Sequence, residues 1–153
     1  MKTELKEINL LNDEAFKALF RSIEAREMVS YFLSKLTGIE KEVLMEAEYQ
    51  GGELPKKIMK EKGKKSDIII KIENNNKIIL EMNQFKSDHI FEKNTSYAFS
   101  IASETILSKG KKYPKVILIN IDNFNHFHTK EAILNFKLRD EYGHIETDMY
   151  HSI

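Results

Sequence analysis

Apolar residues recur at spacings of three and four between residues 13 and 36, which predicts an amphipathic helix. The positions that form this stripe are Phe16, Leu19, Phe20, Ile23, Val29, Phe32, Leu33 and Leu36. Asn12 or Asp13 can cap the start of the helix, and Gly38 can end it. The stripe is most simply explained as the face that packs on the core.

Two β-branched runs, "DIIIKIE" at 67–73 and "KIILEMN" at 77–83, flank the asparagine triplet at 74–76. Strand-like runs on either side of an asparagine turn predict a β-hairpin. Because both runs are almost continuously hydrophobic, the strands are expected to be buried on both faces, as in a layered α/β domain.

The remaining patterns complete a mixed architecture. Alternating apolar residues predict a strand over 42–49, residues 89–109 have helical spacing, and "KVILINI" at 115–121 predicts a further buried strand. The tail has weaker strand-like alternation around an "EYG" turn. The order of helix, strand, hairpin, helix and strand predicts an α/β fold with a mixed sheet covered by helices.

Composition excludes several classes of protein. The chain of 153 residues is long enough for one domain with a core, and it lacks cysteine, which rules out disulfides and thiolate chemistry. Its 24 basic and 24 acidic residues give no net charge, so a nucleic-acid binder would have to concentrate its lysines locally. No long apolar run or signal peptide is apparent, so we expect a cytoplasmic protein without a membrane partner.

A lysine-dense connection precedes the hairpin. It carries Lys56, Lys57, Lys60, Lys62, Lys64 and Lys65. This segment can be a solvated loop, the commoner case, or it can contact phosphates, an interpretation that its position directly before Asp67 strengthens.

The hairpin carries two acids at defined places. Asp67 opens the first strand and Glu81 nearly closes the second, so the hairpin should bring both carboxylates to one edge. Converging buried carboxylates repel each other, and a hard cation such as Mg²⁺ relieves that repulsion. Asn83 shares a face with Glu81 because side chains alternate along a strand.

Four segments, taken in order, resemble one family. "NDEAFKALF" is similar to its opening "D-x-x-F-K-x-x-F", and "SDIIIKIENNNKIILEMN" is similar to its acid-bearing hairpin. "SKGKKYPKVILINIDNF" and "FHTKEAILNFKLRD" are similar to the two stretches that follow in that family. From about Asn12 onward the chain resembles the PD-(D/E)XK nuclease family transposases, also called the recombination-promoting nuclease group.

The resemblance implies a restriction-endonuclease-like fold that cuts DNA with Mg²⁺, for which Mn²⁺ can substitute. It implies that Asp67 and Glu81 hold the metal together with the Met82 carbonyl, and that Asn83 stands where the motif has a catalytic lysine. An earlier acid, Glu48 or Glu24, is expected to join them.

Lysines are expected to contact the DNA phosphates, and the candidates are Lys62, Lys64, Lys65 and Lys93. The family often has an arginine in the helix after the hairpin, a region that Lys93 or Asn94 occupies here, so Lys93 is also a candidate for a displaced positive charge. One nuclease-like domain over residues 1–153 is expected, shorter at its C-terminus than is usual in the family.

Two functions remain open at this point. The chain is either a Mg²⁺-dependent, transposase-associated DNA endonuclease or a catalytically weak relic that binds DNA or supports assembly. A staggered double-strand cut would need two active sites, which makes a homodimer plausible. The H-x-H of His126 and His128 would share a face on a strand, but no third ligand for a transition metal is apparent.

Overall fold

A six-stranded mixed sheet runs through the structure, a computed structural model that describes residues 12–53, 65–106, 114–145, 147 and 149–153. The strands are β1 (Glu48–Glu53), β2 (Lys65–Lys71), β3 (Lys77–Asn83), β4 (Val116–Asp122), β5 (Phe136–Lys137) and β6 (Tyr150–Ser152). The helices are α1 (Asp13–Arg21), α2 (Arg26–Thr37), α3 (Lys41–Met45) and α4 (Ile90–Ile106). The predicted α/β class is therefore confirmed.

The strand order is β1-β2-β3-β4-β6-β5. The pairs β1–β2, β2–β3 and β5–β6 are antiparallel, whereas β3–β4 and β4–β6 are parallel. The parallel step from β3 to β4 is made through α4, as parallel neighbours require a crossover connection. This step sets the C-terminal ends of β3 and β4 side by side.

The predicted hairpin forms between β2 and β3. Its register runs from Ile68 opposite Leu80 to Lys71 opposite Lys77. Asn74 and Asn75 turn the chain with φ angles of 59° and 61°, in the left-handed region that asparagine tolerates better than most residues. The asparagine triplet therefore makes the turn, as the sequence predicts.

Both faces of the central strands are buried, which confirms the interpretation of the continuous hydrophobic runs. One face packs against α1 and α2, and its strand residues are Ile68, Ile70, Ile78, Leu80, Ile117 and Ile119. The other face packs against Tyr97, Ala98 and Ile101 of α4, and its strand residues are Ile69, Ile79, Val116 and Leu118. Residues that alternate along a strand thus face different helical layers.

The single helix predicted for residues 13–36 is wrong, because two helices occupy this range. Ser22 is extended (ψ 134°), and its hydroxyl accepts a hydrogen bond from the Ala25 N–H and donates one to Glu24. Serine competes in this way with continued helix. Ile23 is 81% exposed, so the apolar stripe is interrupted at the break. The predicted ends are correct, since Asn12 caps α1 and Gly38 ends α2.

The strand predicted for residues 42–49 is also wrong over most of its length. Residues 41–45 form α3, and β1 begins only at Glu48. Leu44 is fully buried whereas Met45 is exposed, so burial here does not follow the alternation of Val43, Met45 and Ala47. The short apolar run is compatible with the period of a helix or of a strand, and the packing of α3 against α2 selects the helix.

The later elements agree with their predictions where they are described. α4 covers most of the predicted helix at 89–109, and residues 107–109 lie outside the described ranges. The "EYG" turn links Arg139 to Ile145 through an isolated bridge, with Gly143 at φ 89°. None of the helices within the described residues combines the length and apolar character needed to cross a membrane.

Candidate functional site

The hairpin brings Asp67 beside the end of β3. Continuing the register by one residue places Asp67 opposite Glu81. The Met82 N–H donates a hydrogen bond of 2.9 Å to Asp67 Oδ2. Glu81 is only 3% exposed, although its side chain is ionisable. The structure therefore brings together Asp67, Glu81 and Met82, the central part of the predicted site.

Both acids lie on the α4 side of the sheet. They share that face with Ile69 and Ile79, because side chains two residues apart on a strand point the same way. Their charges act on Tyr97 of α4. Burial raises the pKa of the Tyr97 hydroxyl, and the negative charges of Glu81 and Asp67 raise it further. The two carboxylates therefore act on the same buried group.

Helix α1 supplies two cationic groups that the sequence interpretation missed. Lys17 Nζ lies 3.3 Å from Asp67 Oδ1, and Arg21 Nη2 donates a hydrogen bond of 3.0 Å to the Asp67 carbonyl. These residues are four apart, so they lie on one side of the helix. Their spacing beside the apolar stripe is visible in the sequence, but nothing local points to a strand almost fifty residues away.

Asn83 belongs to a partly buried polar network. Its Nδ2 donates to Asp122 Oδ1 at 2.6 Å, and its Oδ1 accepts from Asn94 Nδ2 at 3.3 Å. Asn94, which is fully buried on α4, also donates to Asn120 Oδ1 at 2.7 Å. Asn120 in turn donates to Ser152 Oγ at 3.1 Å. The network joins β3, β4, β6 and α4, and the sequence interpretation identified only Asn83 as a site residue.

Asp122 is the ionisable member of this network. Burial raises its pKa above the ordinary value of 3.8, against the opposing effects of the hydrogen bond from Asn83 and the charge of His126. Since folding favours the protonated acid, its contribution to stability is full below the ordinary pKa and is lost as the pH rises through the raised value.

We therefore expect Asp122→Asn to gain stability relative to wild type as the pH increases from 3 to 7, because the variant has no charge to bury. Melting temperatures of both proteins across this range measure the difference. Asp140→Asn is the matched control: a hydrogen bond to His144 lowers the pKa of Asp140, so this variant should lose relative stability as the pH rises. Parallel curves for wild type and Asp122→Asn would contradict the assignment.

The two candidates for an additional acid are not brought to the carboxylates. Glu48 lies opposite Lys71, which is four residues along β2 from Asp67. That separation along the strand is about 13 Å. The Glu48 carboxylate contacts Lys71 and Gln50. Glu24 lies in the exposed turn after α1, where the hydrogen bond from Ser22 lowers its pKa. The expectation that Glu48 joins the site is thus corrected, because β1 begins at the turn end of the hairpin rather than at its open end.

The predicted phosphate contacts are only partly described. Lys62 and Lys64 lie outside the described residues, and Lys65 is the first residue of β2. Lys93 is exposed on α4, and its Nζ lies 5.6 Å from the centre of the Tyr97 ring. Because the charges of both carboxylates raise the pKa of Tyr97, this position puts Lys93 on the border of the same site.

The histidine pair does not form a metal centre among the described residues. His126 and His128 lie in the irregular segment after β4, and His128 has a φ of 52°. The His126 ring packs edge-on against Phe91 at 4.6 Å. No group of three or more histidine, aspartate and glutamate side chains that could hold a metal forms in the part of the chain that is described.

The donor set at Asp67 nevertheless suits Mg²⁺. This ion is commonly held by one or two carboxylates, with water and phosphate completing the shell. Asp67 Oδ1 is close to Lys17 and Oδ2 accepts from Met82, yet a carboxylate has about four lone-pair sites and retains capacity for a cation. The residues present therefore fit a hard divalent cation.

Comparison with known proteins identifies the family. A model described as PD-(D/E)XK nuclease family transposase matches residues 10–148, nearly the whole chain. No curated protein and no solved structure showed significant similarity. The six-stranded mixed sheet flanked by helices is consistent with a restriction-endonuclease-like fold. The chain therefore belongs to the PD-(D/E)XK nuclease family transposases.

Proposed function

We propose that this protein is a Mg²⁺-dependent DNA endonuclease, associated with transposition or recombination, that hydrolyses phosphodiester bonds. The observation that carries the proposal is the pairing of Asp67 with Glu81 across the hairpin, on the face covered by α4. The family match supports nuclease chemistry as the use of these acids. DNA is the proposed substrate and the cytoplasm the proposed location.

Asp67, Glu81 and the Met82 carbonyl are the proposed metal ligands, with Mn²⁺ as a substitute ion. The Asn83 carbonyl accepts a hydrogen bond from the Asn123 N–H on the β4 side, and backbone groups alternate in direction along a strand. The Met82 carbonyl is thus directed towards β2, the side on which Asp67 lies. When bound there, Mg²⁺ supplies Lewis-acid polarisation of the phosphodiester and activation of the attacking water.

The surrounding residues orient the substrate in this proposal. Lys93 borders the site on α4. Lys62 and Lys64 precede β2 in the sequence and Lys65 is its first residue, so these lysines can contact successive phosphates. Asn83 is held by Asp122 and Asn94, and through them it keeps the end of β3 aligned with α4 and β4. Because its amide carries no charge, Asn83 should matter less than the two acids.

A second function is favoured by one specific observation. The position of the motif lysine is occupied by Asn83, whose amide nitrogen is bound to Asp122 and whose amide oxygen is bound to the buried Asn94. Loss of that lysine would suit a catalytically weak relic, retained as a DNA-binding or assembly domain. A homodimer is compatible with either function, since two copies would be needed for a double-strand cut.

A supercoiled-plasmid assay tests the endonuclease. We expect nicked and linear DNA to appear with Mg²⁺ or Mn²⁺ and to be absent with EDTA, because the acids need a cation to act on a phosphodiester. Electrophoretic mobility shifts in EDTA measure DNA binding separately. Retarded DNA without any nicking in either metal would favour the relic and contradict the endonuclease.

A further inference from the structure

The residue at the position of the motif lysine, Asn83, carries no positive charge. Asn83 is 6% exposed, its amide nitrogen is bound to Asp122 and its amide oxygen to Asn94. A phosphodiester under attack develops negative charge, which a nearby cation stabilises. The cation that stabilises this negative charge should therefore come from a side chain on another element.

Helix α1 brings such a cation to Asp67. Lys17 Nζ lies 3.3 Å from Asp67 Oδ1, and its side chain keeps 25% of its surface accessible. Phe16 and Phe20 on either side of it are buried in the core, so packing fixes the direction in which Lys17 leaves the helix. Arg21, one turn later, donates to the Asp67 carbonyl and attaches α1 to the start of β2.

We propose that Lys17 is a catalytic residue that supplies the positive charge which Asn83 lacks. This inference rests on the proposed endonuclease function. In the absence of metal, the Lys17 ammonium neutralises Asp67. With a divalent cation held at Asp67, the ammonium would be repelled from the carboxylate, and the flexible four-carbon stem would let Lys17 reach a phosphate oxygen of the DNA. Lys17 acts through its positive charge and transfers no proton.

Lys93, the other described lysine bordering the site, has a different environment. Its Nζ faces the Tyr97 ring, and no described contact links it to either carboxylate. We assign Lys93 to phosphate binding, where loss of the charge weakens affinity for DNA. Lys17 is assigned to the reacting phosphate, where loss of the charge lowers the rate at saturating DNA.

The test combines single-turnover cleavage with metal binding. We expect Lys17→Met to lower the cleavage rate at saturating DNA and Mg²⁺ by about 10²–10³-fold, the range seen when one preorganised charge-stabilising donor is removed. Lys17→Arg should lose less, because it keeps the charge. Mn²⁺ affinity, measured by calorimetry on metal-free protein, should be unchanged or higher in Lys17→Met because a competing cation has been removed.

Lys35→Met is the matched control, since Lys35 is an exposed lysine on α2 that lies over the Tyr31 ring. It should leave both measurements unchanged. Cleavage by Lys17→Met at the wild-type rate would overturn the assignment, and so would loss of Mn²⁺ binding in step with loss of cleavage, which would indicate a structural role. If wild type itself fails to cut, the endonuclease proposal fails, and this assignment fails with it.

Discussion

Asp67→Asn and Glu81→Gln are each expected to lower Mg²⁺-dependent DNA cleavage by at least about 10³-fold, because Lewis-acid activation is worth several kcal/mol and each 1.4 kcal/mol is about tenfold. Both amides keep the shape of the acid. Asn at position 67 also keeps an oxygen that can accept the hydrogen bond from the Met82 N–H. The loss should therefore come from weaker metal binding and not from misfolding. Initial nicking rates on supercoiled plasmid measure it.

Glu48→Gln is the matched control for these variants. Glu48 is a glutamate on the neighbouring strand, but it contacts Lys71 at the opposite end of β2. It should cut DNA at the wild-type rate. Retained cleavage by both Asp67→Asn and Glu81→Gln would show that the nuclease site lies elsewhere. Loss of cleavage in Glu48→Gln would show that Glu48 takes part in the site, although its described contacts separate it from Asp67.

Leu80→Ala is expected to give the largest loss of stability among conservative core changes near the site, about 2–5 kcal/mol in the free energy of unfolding. Leu80 is 0% exposed on β3, which is paired on both sides by β2 and β4. Truncation leaves a cavity between the sheet and the α1–α2 layer, where neighbouring side chains can relax only partly. Urea denaturation followed by circular dichroism measures the change.

Ile133→Ala serves as the comparison, since Ile133 is 54% exposed in the segment before β5. Its unfolding free energy should stay within about 0.5 kcal/mol of wild type. The free energy of unfolding of natural domains is only about 5–15 kcal/mol, so Leu80→Ala should shift the urea midpoint clearly. Equal effects of the two substitutions would mean that β3 is not the centre of the core.

The hairpin was the most predictable feature, because its signals are local. Asparagines accept left-handed φ angles, and continuous β-branched runs indicate strands buried on both faces. Once the turn is fixed, the register follows, and with it the meeting of Asp67 and the end of β3. The caps at Asn12 and Gly38 were predictable for the same reason, since capping depends on a residue and its near neighbours.

Two local features were misjudged because competing patterns overlap. The apolar stripe continues through Ile23, but a serine hydroxyl bonds to the backbone and opens the helix there. In α3, an apolar run too short to define its own period follows the packing against α2. In both places the hydrophobic pattern alone does not distinguish the alternatives.

The network around Asn83 and the contact from Lys17 depend on tertiary pairing. Asn83 and Asp122 are 39 residues apart, and Asn94 and Asn120 are 26 apart. They meet only because β4 runs parallel to β3 after the α4 crossover. Parallel strands are joined by a long crossover instead of a tight turn, so the sequence contains no local signal that sets their register. The same reason hides the contribution of α1 to Asp67.

Iron-directed cleavage of the protein tests the central claim, that Asp67 and Glu81 hold a divalent cation. Fe²⁺ takes the place of Mg²⁺ at the oxygen ligands, and ascorbate with peroxide then generates radicals that cut the nearest backbone. Mass spectrometry locates the cuts. We predict that they fall around residues 67 and 81–82, that excess Mg²⁺ suppresses them, and that the combined Asp67→Asn and Glu81→Gln variant lacks them. Cuts confined to the His126–His128 segment, or unchanged in the combined variant, would contradict the metal site.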